Sequence, residues 1–161
     1  MSKFIGIDPG SKGALCCLDS DRLSVEFIDT PDDHASAQLV RGWIMGRKPH
    51  IVGLEKVHAI FGTSAGSNFK FGHNVGILEG VLFTTFVGID HVQPKAWQKA
   101  VGIAFKKGMT GAQKKKHVAA HAQQLYPSAS LHGPRGGLLD GRSDALMIAH
   151  HMMIKYGGQS G

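Results

Sequence analysis

The spacing of apolar positions changes several times along the chain, and each change marks an element. Lys3 to Asp8 alternates and is β-rich, Ala14 to Leu18 follows a glycine-containing turn, and Leu23 to Ile28 alternates again. Three strands joined by tight turns predict an antiparallel meander. Asp32 or Asp33 can cap a helix over His34 to Met45, where Leu39, Val40, Trp43 and Ile44 recur at helical spacing and Gly46 supplies a stop. His50 to Glu55 (H-I-V-G-L-E) reads as a fourth strand, apolar enough to be buried on both faces. A Gly/Ser-rich loop, Gly62 to Ser67, leads to a long helix from about Asn68 to Phe86, and Gly88 to Val92 gives a fifth strand. Pro94 opens a short helix closed by Gly102, because proline suits the first helical position and glycine the left-handed cap. Two more helices follow, about Thr110 to Leu125 and about Asp140 to Tyr156, and then a Gly/Ser tail over 157–161 that is expected to be flexible. This order predicts an α/β fold: a mixed five-stranded sheet, antiparallel meander first, flanked by helices in a single domain over residues 1–156.

Composition narrows the class. With 161 residues and 42% hydrophobic side chains, the chain can bury a core without disulfides or structural metal. A disordered, collagen-like or knottin-like chain is excluded. Cys16 and Cys17 are adjacent in a strand, where neighbouring side chains point to opposite faces and cannot bridge. That usage implies a reducing compartment, and the first residues enter a strand directly, without a signal-peptide pattern. A cytoplasmic location, in a bacterial cell or a phage-infected host, is expected, with an organellar matrix as the other setting. The longest apolar stretch, Val75 to Ile89, is too short for a membrane span and carries Glu79, so no membrane partner is expected. Gly72, Gly76 and Gly80 form a stripe of small residues along that helix, which in water means close packing on the sheet or on a partner.

Charge is uneven. Residues 1–90 carry a net charge of −2 and residues 91–161 a net +8, and no carboxylate occurs between His91 and Leu139. Lys95, Lys99, Lys106, Lys107, Lys114, Lys115, Lys116 and Arg135 all lie in that acid-free stretch. A run of lysines can be a solvated helix face. A stretch this long without acids departs from the interspersed signs of ordinary soluble surfaces and points to a polyanion, with nucleic acid as the default.

The remaining clue is a set of acids standing where packing residues belong. Asp8 ends the first apolar strand and Glu55 the fourth, and a carboxylate at the tip of a buried strand is costly unless paired, hydrogen-bonded or bound to a cation. Asp140 and Asp144 project from one face at the start of the last helix. Helix capping is an alternative for Asp140 more than for Asp144, which is backed by Ala145 to Ala149. An Asp-Pro-Gly turn is the structural alternative for Asp8, and a strand-end salt bridge the alternative for Glu55. Together the acids form an oxygen-donor set suited to hard divalent cations. A pair of Mg²⁺ ions about 4 Å apart would activate an attacking water and stabilise a leaving 3′-oxygen in phosphodiester hydrolysis. Nearby lysines would neutralise backbone phosphates.

Four segments, in order, carry a resemblance: Phe4-Ile5-Gly6-Ile7-Asp8-Pro9-Gly10; Gly53-Leu54-Glu55-Lys56-Val57; Val101-Gly102-Ile103; and Ser143-Asp144-Ala145-Leu146-Met147-Ile148-Ala149. The chain resembles, from about residue 3 to 152, the RuvC-type Holliday-junction resolvases of the RNase H-like (retroviral integrase) superfamily. The resemblance implies an RNase H-like nuclease domain and a homodimer that nicks two strands of a four-way DNA junction symmetrically. It implies Mg²⁺, with Mn²⁺ as substitute and two ions per site, and a branch-migration helicase as a further partner. It matches the catalytic, metal-holding acids to Asp8, Glu55 and Asp144. The family's further ligand falls at Gly141, so Asp140, one residue earlier on the same helical face, is assigned as the fourth ligand. The family commonly has an aromatic three residues after the Glu, where this chain has His58. Phe61 or Phe69 could take its base-stacking role, the alternative being a core phenylalanine. Lys115 matches the basic residue of the DNA-facing helix, flanked by Lys114 and Lys116, with Lys106 and Lys107 as further phosphate contacts. The glycine stripe, Gly72, Gly76 and Gly80, matches the dimer-interface helix.

Rival readings separate on particular residues. An actin-like ATPase would need a second Asp-x-Gly strand motif, and a zinc protease built on His117 and His121 would lack its general base because Val118 follows the first His. Two rivals stand: a nuclease for other branched DNA such as flaps or forks, and a non-catalytic basic DNA-binding module.

Overall fold

The structure, a computed structural model, describes residues 2–158. Its elements run β1 (Lys3–Asp8), β2 (Ala14–Asp19), β3 (Ser24–Asp29), α1 (His34–Arg47), β4 (Ile51–Glu55), α2 (Ala65–Phe83), β5 (Ile89–Val92), α3 (Pro94–Ala100), α4 (Gly111–Leu125) and α5 (Asp140–Tyr156). The five strands form one sheet in the order β3-β2-β1-β4-β5. β1 pairs antiparallel with β2, and β2 with β3, which is the expected meander. β1 pairs parallel with β4, and β4 with β5, so the sheet is mixed and β1 is its centre.

Both faces of the sheet are covered, as the unbroken apolar runs of β1, β2 and β4 require. On one face Phe4, Cys16 and Leu18 pack with α3, α4 and α5 through Trp97, Val118, Ala122 and Ala145 to Ala149. On the other, Ile5, Ile7, Cys17, Val52 and Leu54 pack against α1 and α2 through Val40, Ile44, Leu78 and Leu82. The adjacent cysteines therefore point into opposite cores, and both are free thiols. Gly6 sets how closely α5 lies on β1, because a Cβ there would collide with the carbonyl oxygen of Ala145 and the amide nitrogen of Ala149.

Two boundaries differ from the sequence reading. Helix α1 runs through Gly46 and ends at Arg47, with Lys48 in the left-handed region (φ 49°) and its N–H donating to Ile44 O. Pro49 follows, and a residue before proline is pushed out of the right-handed helical region, so proline rather than glycine sets the stop. Helix α2 begins at Ala65, since the Ser64 hydroxyl accepts from Ser67 N and caps it, and it ends at Phe83. The Gly102 stop after α3 is as expected, at φ +83°. Of the tail expected over 157–161, Gly157 and Gly158 form a turn, and residues 159–161 lie outside the described residues. Among the described residues, no helix is long and apolar enough to cross a membrane.

Candidate active site

The parallel pairing of β1 and β4 puts Ile7 beside Leu54, so Asp8 and Glu55, one residue further on in each strand, stand side by side at the same edge of the sheet. The carboxyl ends of parallel strands are where α/β sheets place their ligands. Asp144 reaches this edge from above, because it precedes Ala145, the residue whose carbonyl rests on Gly6. Each acid now lies within electrostatic reach of the others.

Burial pushes the Asp8 carboxyl up and repulsion from Asp140 adds to it, while the Gly10 amide, donating to Oδ1 at 2.9 Å, and the Lys115 charge oppose the rise. Burial raises Glu55 to about 7, against the hydrogen bond from Trp97 and with repulsion from Asp8. Asp144 is raised to about 8 by burial, then by repulsion from Asp8, Glu55 and Asp140, with Lys115 opposing. Such a cluster of buried, mutually repelling oxygen donors is the electrostatic condition that a divalent cation relieves. The side chains do not already form a closed cage: among the described residues, no group of three or more His, Cys, Asp or Glu is drawn together tightly enough to hold an ion as it stands.

Asp140 belongs to this neighbourhood but is engaged, its Oδ2 2.6 Å from Lys115 Nζ. Gly141, the next residue, is buried, and a Cβ there would collide with the Lys12 carbonyl in the β1–β2 turn. A side chain at 141 is thus forbidden by the packing that seats the first turn of α5, which leaves Asp140 as the nearest acid preceding Asp144 on that face.

The other candidates fall in three places. Lys114, Lys115 and Lys116 point in different directions, as consecutive helical residues must: Lys115 meets Asp140, while Lys114 Nζ lies 5.5 Å from the centre of the Phe105 ring. Lys106 and Lys107 are exposed in the turn before α4. Phe61 is 100% exposed and Phe69 77% exposed, so neither is a core phenylalanine. Phe61 sits on the loop that follows Glu55, stapled at its neighbour by Asn68, whose side chain accepts from Ile60 N and donates to Ile60 O. Among the described residues nothing lies within 4 Å of where a Cβ would stand on Gly72, Gly76 or Gly80, so the stripe is open outward and does not pack on the sheet.

One contributor escaped the sequence reading. Trp97 Nε1–H donates to Glu55 Oε1 at 2.8 Å from α3. Glu55 and Trp97 are not linked by any motif spacing; the signal available was only a tryptophan in a short helix after the fifth strand.

This sheet order, with three carboxylates at the ends of β1 and β4 and near the start of α5, has counterparts among solved structures. The chain is similar to Thermus thermophilus RuvC in complex with Holliday junction substrate, at TM-score 0.65 and 18% identity over 99% of this chain and 97% of that one. The fold is that of the RuvC-type resolvases. A second structure of Thermus thermophilus RuvC matches at TM-score 0.59 and 19% identity, covering 96% of this chain and 95% of that one. A Fowlpox virus resolvase in complex with Holliday junction DNA matches at 0.53 and 14%, covering 95% and 97%. No protein-family model and no curated protein sequence matches the chain. The RuvC-type fold thus extends over nearly the whole chain, including the long α2 and the basic α4.

Proposed function

We propose that this chain is a structure-specific endodeoxyribonuclease that resolves four-way DNA junctions by paired, symmetric nicks. The observation that carries the reading is the convergence of Asp8, Glu55 and Asp144 on one sheet edge within a RuvC-type fold. Asp8, Glu55 and Asp144, with Asp140, would hold Mg²⁺ or Mn²⁺, and two such ions supply an activated water and charge neutralisation at the leaving oxygen. The acids offer only oxygen donors, no hydrogen-bond donor occupies Asp144 among the described residues, and burial has already stripped them of much of their water, all of which suits a hard cation.

The chain's own residues do the rest. Gly10 N–H fixes Asp8 and Trp97 fixes Glu55, so two carboxylates are oriented before any cation arrives. Lys115 joins the acid edge to α4 and would hold a backbone phosphate near it, and Lys106, Lys107, Lys114 and Lys116, all exposed in the same acid-free stretch, would add further phosphate contacts. Phe61, exposed on the loop leaving Glu55, is better placed than Phe69 to stack on an opened base.

Symmetric nicking needs two copies. The outward face of α2 reads the same from both ends: Phe69, Gly72, Gly76, Gly80 and Phe83 are spaced three, four, four and three apart. A two-fold axis at Gly76 would set Phe69 of one copy opposite Phe83 of the other, covering two exposed aromatics. Phe69 then serves the interface rather than DNA.

The deciding experiment is cleavage of synthetic four-way, three-way, flap and linear duplex DNA with Mg²⁺. The junction should be cut in preference to the rest. Asp8→Asn should abolish cutting and leave junction binding in Ca²⁺ intact; cutting that survives Asp8→Asn overturns the site. Preferred cleavage of flaps or forks would instead favour the broader branched-DNA nuclease.

A further inference from the structure

The acids of the site are oriented in different ways. Asp8 uses a backbone amide from its own turn, and Asp140 uses the charged amine of Lys115. Glu55 uses an indole from a helix 42 residues away in sequence. Glutamate has a longer side chain than aspartate and so has more to lose in freedom when a cation fixes it.

Trp97 is built for constancy. It lies in α3, opened by Pro94 at its start, and is 1% exposed, in the same core cluster as Val92, Val101, Ile103 and Met152. Its N–H has no other acceptor among the described residues, so the ring's packing and its hydrogen bond specify the same orientation. Being neutral, the donor fixes Oε1 without bringing a positive charge that would compete with a cation, as Lys115 does at Asp140. Among the described residues, Oε2 of Glu55 accepts no hydrogen bond.

We propose that Trp97 is a positioning residue for the metal centre: its indole N–H holds Glu55 in the ligating orientation and so sets the affinity of the site for divalent cations. This rests on the assignment of Glu55 as a ligand given above. Trp97 touches neither substrate nor reacting atoms. It acts through Glu55, and a hydrogen bond to a charged group is strong enough for its loss to be read in a binding constant.

The test uses the full chain, stripped of metal, with Mn²⁺ alone as the probe in titration calorimetry. Trp97→Phe keeps an aromatic ring in the core and removes the donor. It should weaken Mn²⁺ binding by about tenfold, while junction binding in EDTA stays as in the wild type. In a Glu55→Gln background, where Mn²⁺ binding is already weakened, Trp97→Phe should add nothing, because its action runs through Glu55. Unchanged Mn²⁺ affinity in Trp97→Phe overturns the proposal, and so does an equal loss in the Glu55→Gln background. A measurement on unaltered Trp97 covers the case in which the variant does not fold. The Trp97 indole N–H resonance, distinguished from that of Trp43, should shift on Mg²⁺ addition and move in Glu55→Gln; a resonance indifferent to both overturns the proposal. If Glu55→Gln itself binds Mn²⁺ like the wild type, Glu55 is no ligand and the reading of the site falls with it. If Glu55→Gln weakens binding and Trp97→Phe does not, the role of Trp97 alone falls.

Discussion

At the scale of residues, the burial of Asp8, Glu55 and Asp144, with their mutual repulsion added to it, has a measurable sign. Their folded-state carboxyl groups titrate above the ordinary range, Glu55 at about 7 and Asp144 at about 8. The folded chain therefore keeps protons that the unfolded chain releases. Stability from these groups is fullest below the unfolded values near 4 and is lost as pH rises towards 8. In EDTA, Tm should fall between pH 5.5 and 8.5, and Asp144→Asn should flatten that fall. Mg²⁺ should raise Tm more at pH 8.5 than at 5.5, because protons compete for the same oxygens. A Tm that climbs over this interval in EDTA would contradict the account. Asp140, held by Lys115, should matter less: Asp140→Asn should reduce cleavage less than Asp144→Asn does, measured as single-turnover rates on a four-way junction. All four acids were legible in the sequence because apolar strands and a core-facing helix make a carboxylate conspicuous. Trp97 was not, since a tryptophan in an apolar setting reads as packing until its N–H is seen to meet Glu55. The reason for a glycine at 141 was hidden too, because it lies in contact with Lys12, at the other end of the chain.

At the scale of elements, α5 against β1 decides whether the site exists. Gly6→Ala would drive a methyl group into the α5 backbone at Ala145 and Ala149, where no side chain can rotate away. We expect a loss of about 3 kcal/mol or more, seen in a thermal melt as a drop of roughly 6–12 °C. The outward face of α2 answers in the opposite sense. Gly76 is open to solvent, so Gly76→Leu should slightly strengthen the isolated helix, glycine costing about 0.8–1.0 kcal/mol there. In sedimentation the variant should be monomeric without a fall in Tm; a dimer that persists would move the interface elsewhere. Periodicity, with the Pro94 and Gly102 signals for α3, placed the strands and helices in order. The ends were less legible where two signals competed, as at Gly46 against Pro49, or where a cap lay inside a loop, as at Ser64.

At the scale of the whole molecule, charge and topology work together. The acidic edge is built from β1, β4 and α5, and the lysine-rich half from the turn before α4 and from α4 itself, with the Lys115–Asp140 pair joining them. Salt dependence should separate the lysines. Replacing Lys114 and Lys116 by Glu should lower the slope of log affinity against log salt by about 2, since each phosphate contact contributes about 0.9. Lys115→Ala should instead affect cleavage more than that slope. Junction binding measured by fluorescence anisotropy between low and moderate salt reads both, and an unchanged slope in the double variant would remove α4 from the DNA face. The parallel β1–β4 pairing and the antiparallel meander together give the sheet order, but their joining at β1 could be read only from the structure.

The placement of Asp144 on α5 also has a temporal meaning. α5 follows every other described element in the chain, yet it closes onto β1, the first of them. A ribosome releases Asp8 and Glu55 long before the helix that completes their cluster, so a nascent or prematurely terminated product would, on the proposed function, carry the lysines of α4 without the complete set of acids. On the proposed function, cutting would become possible only with α5 in place.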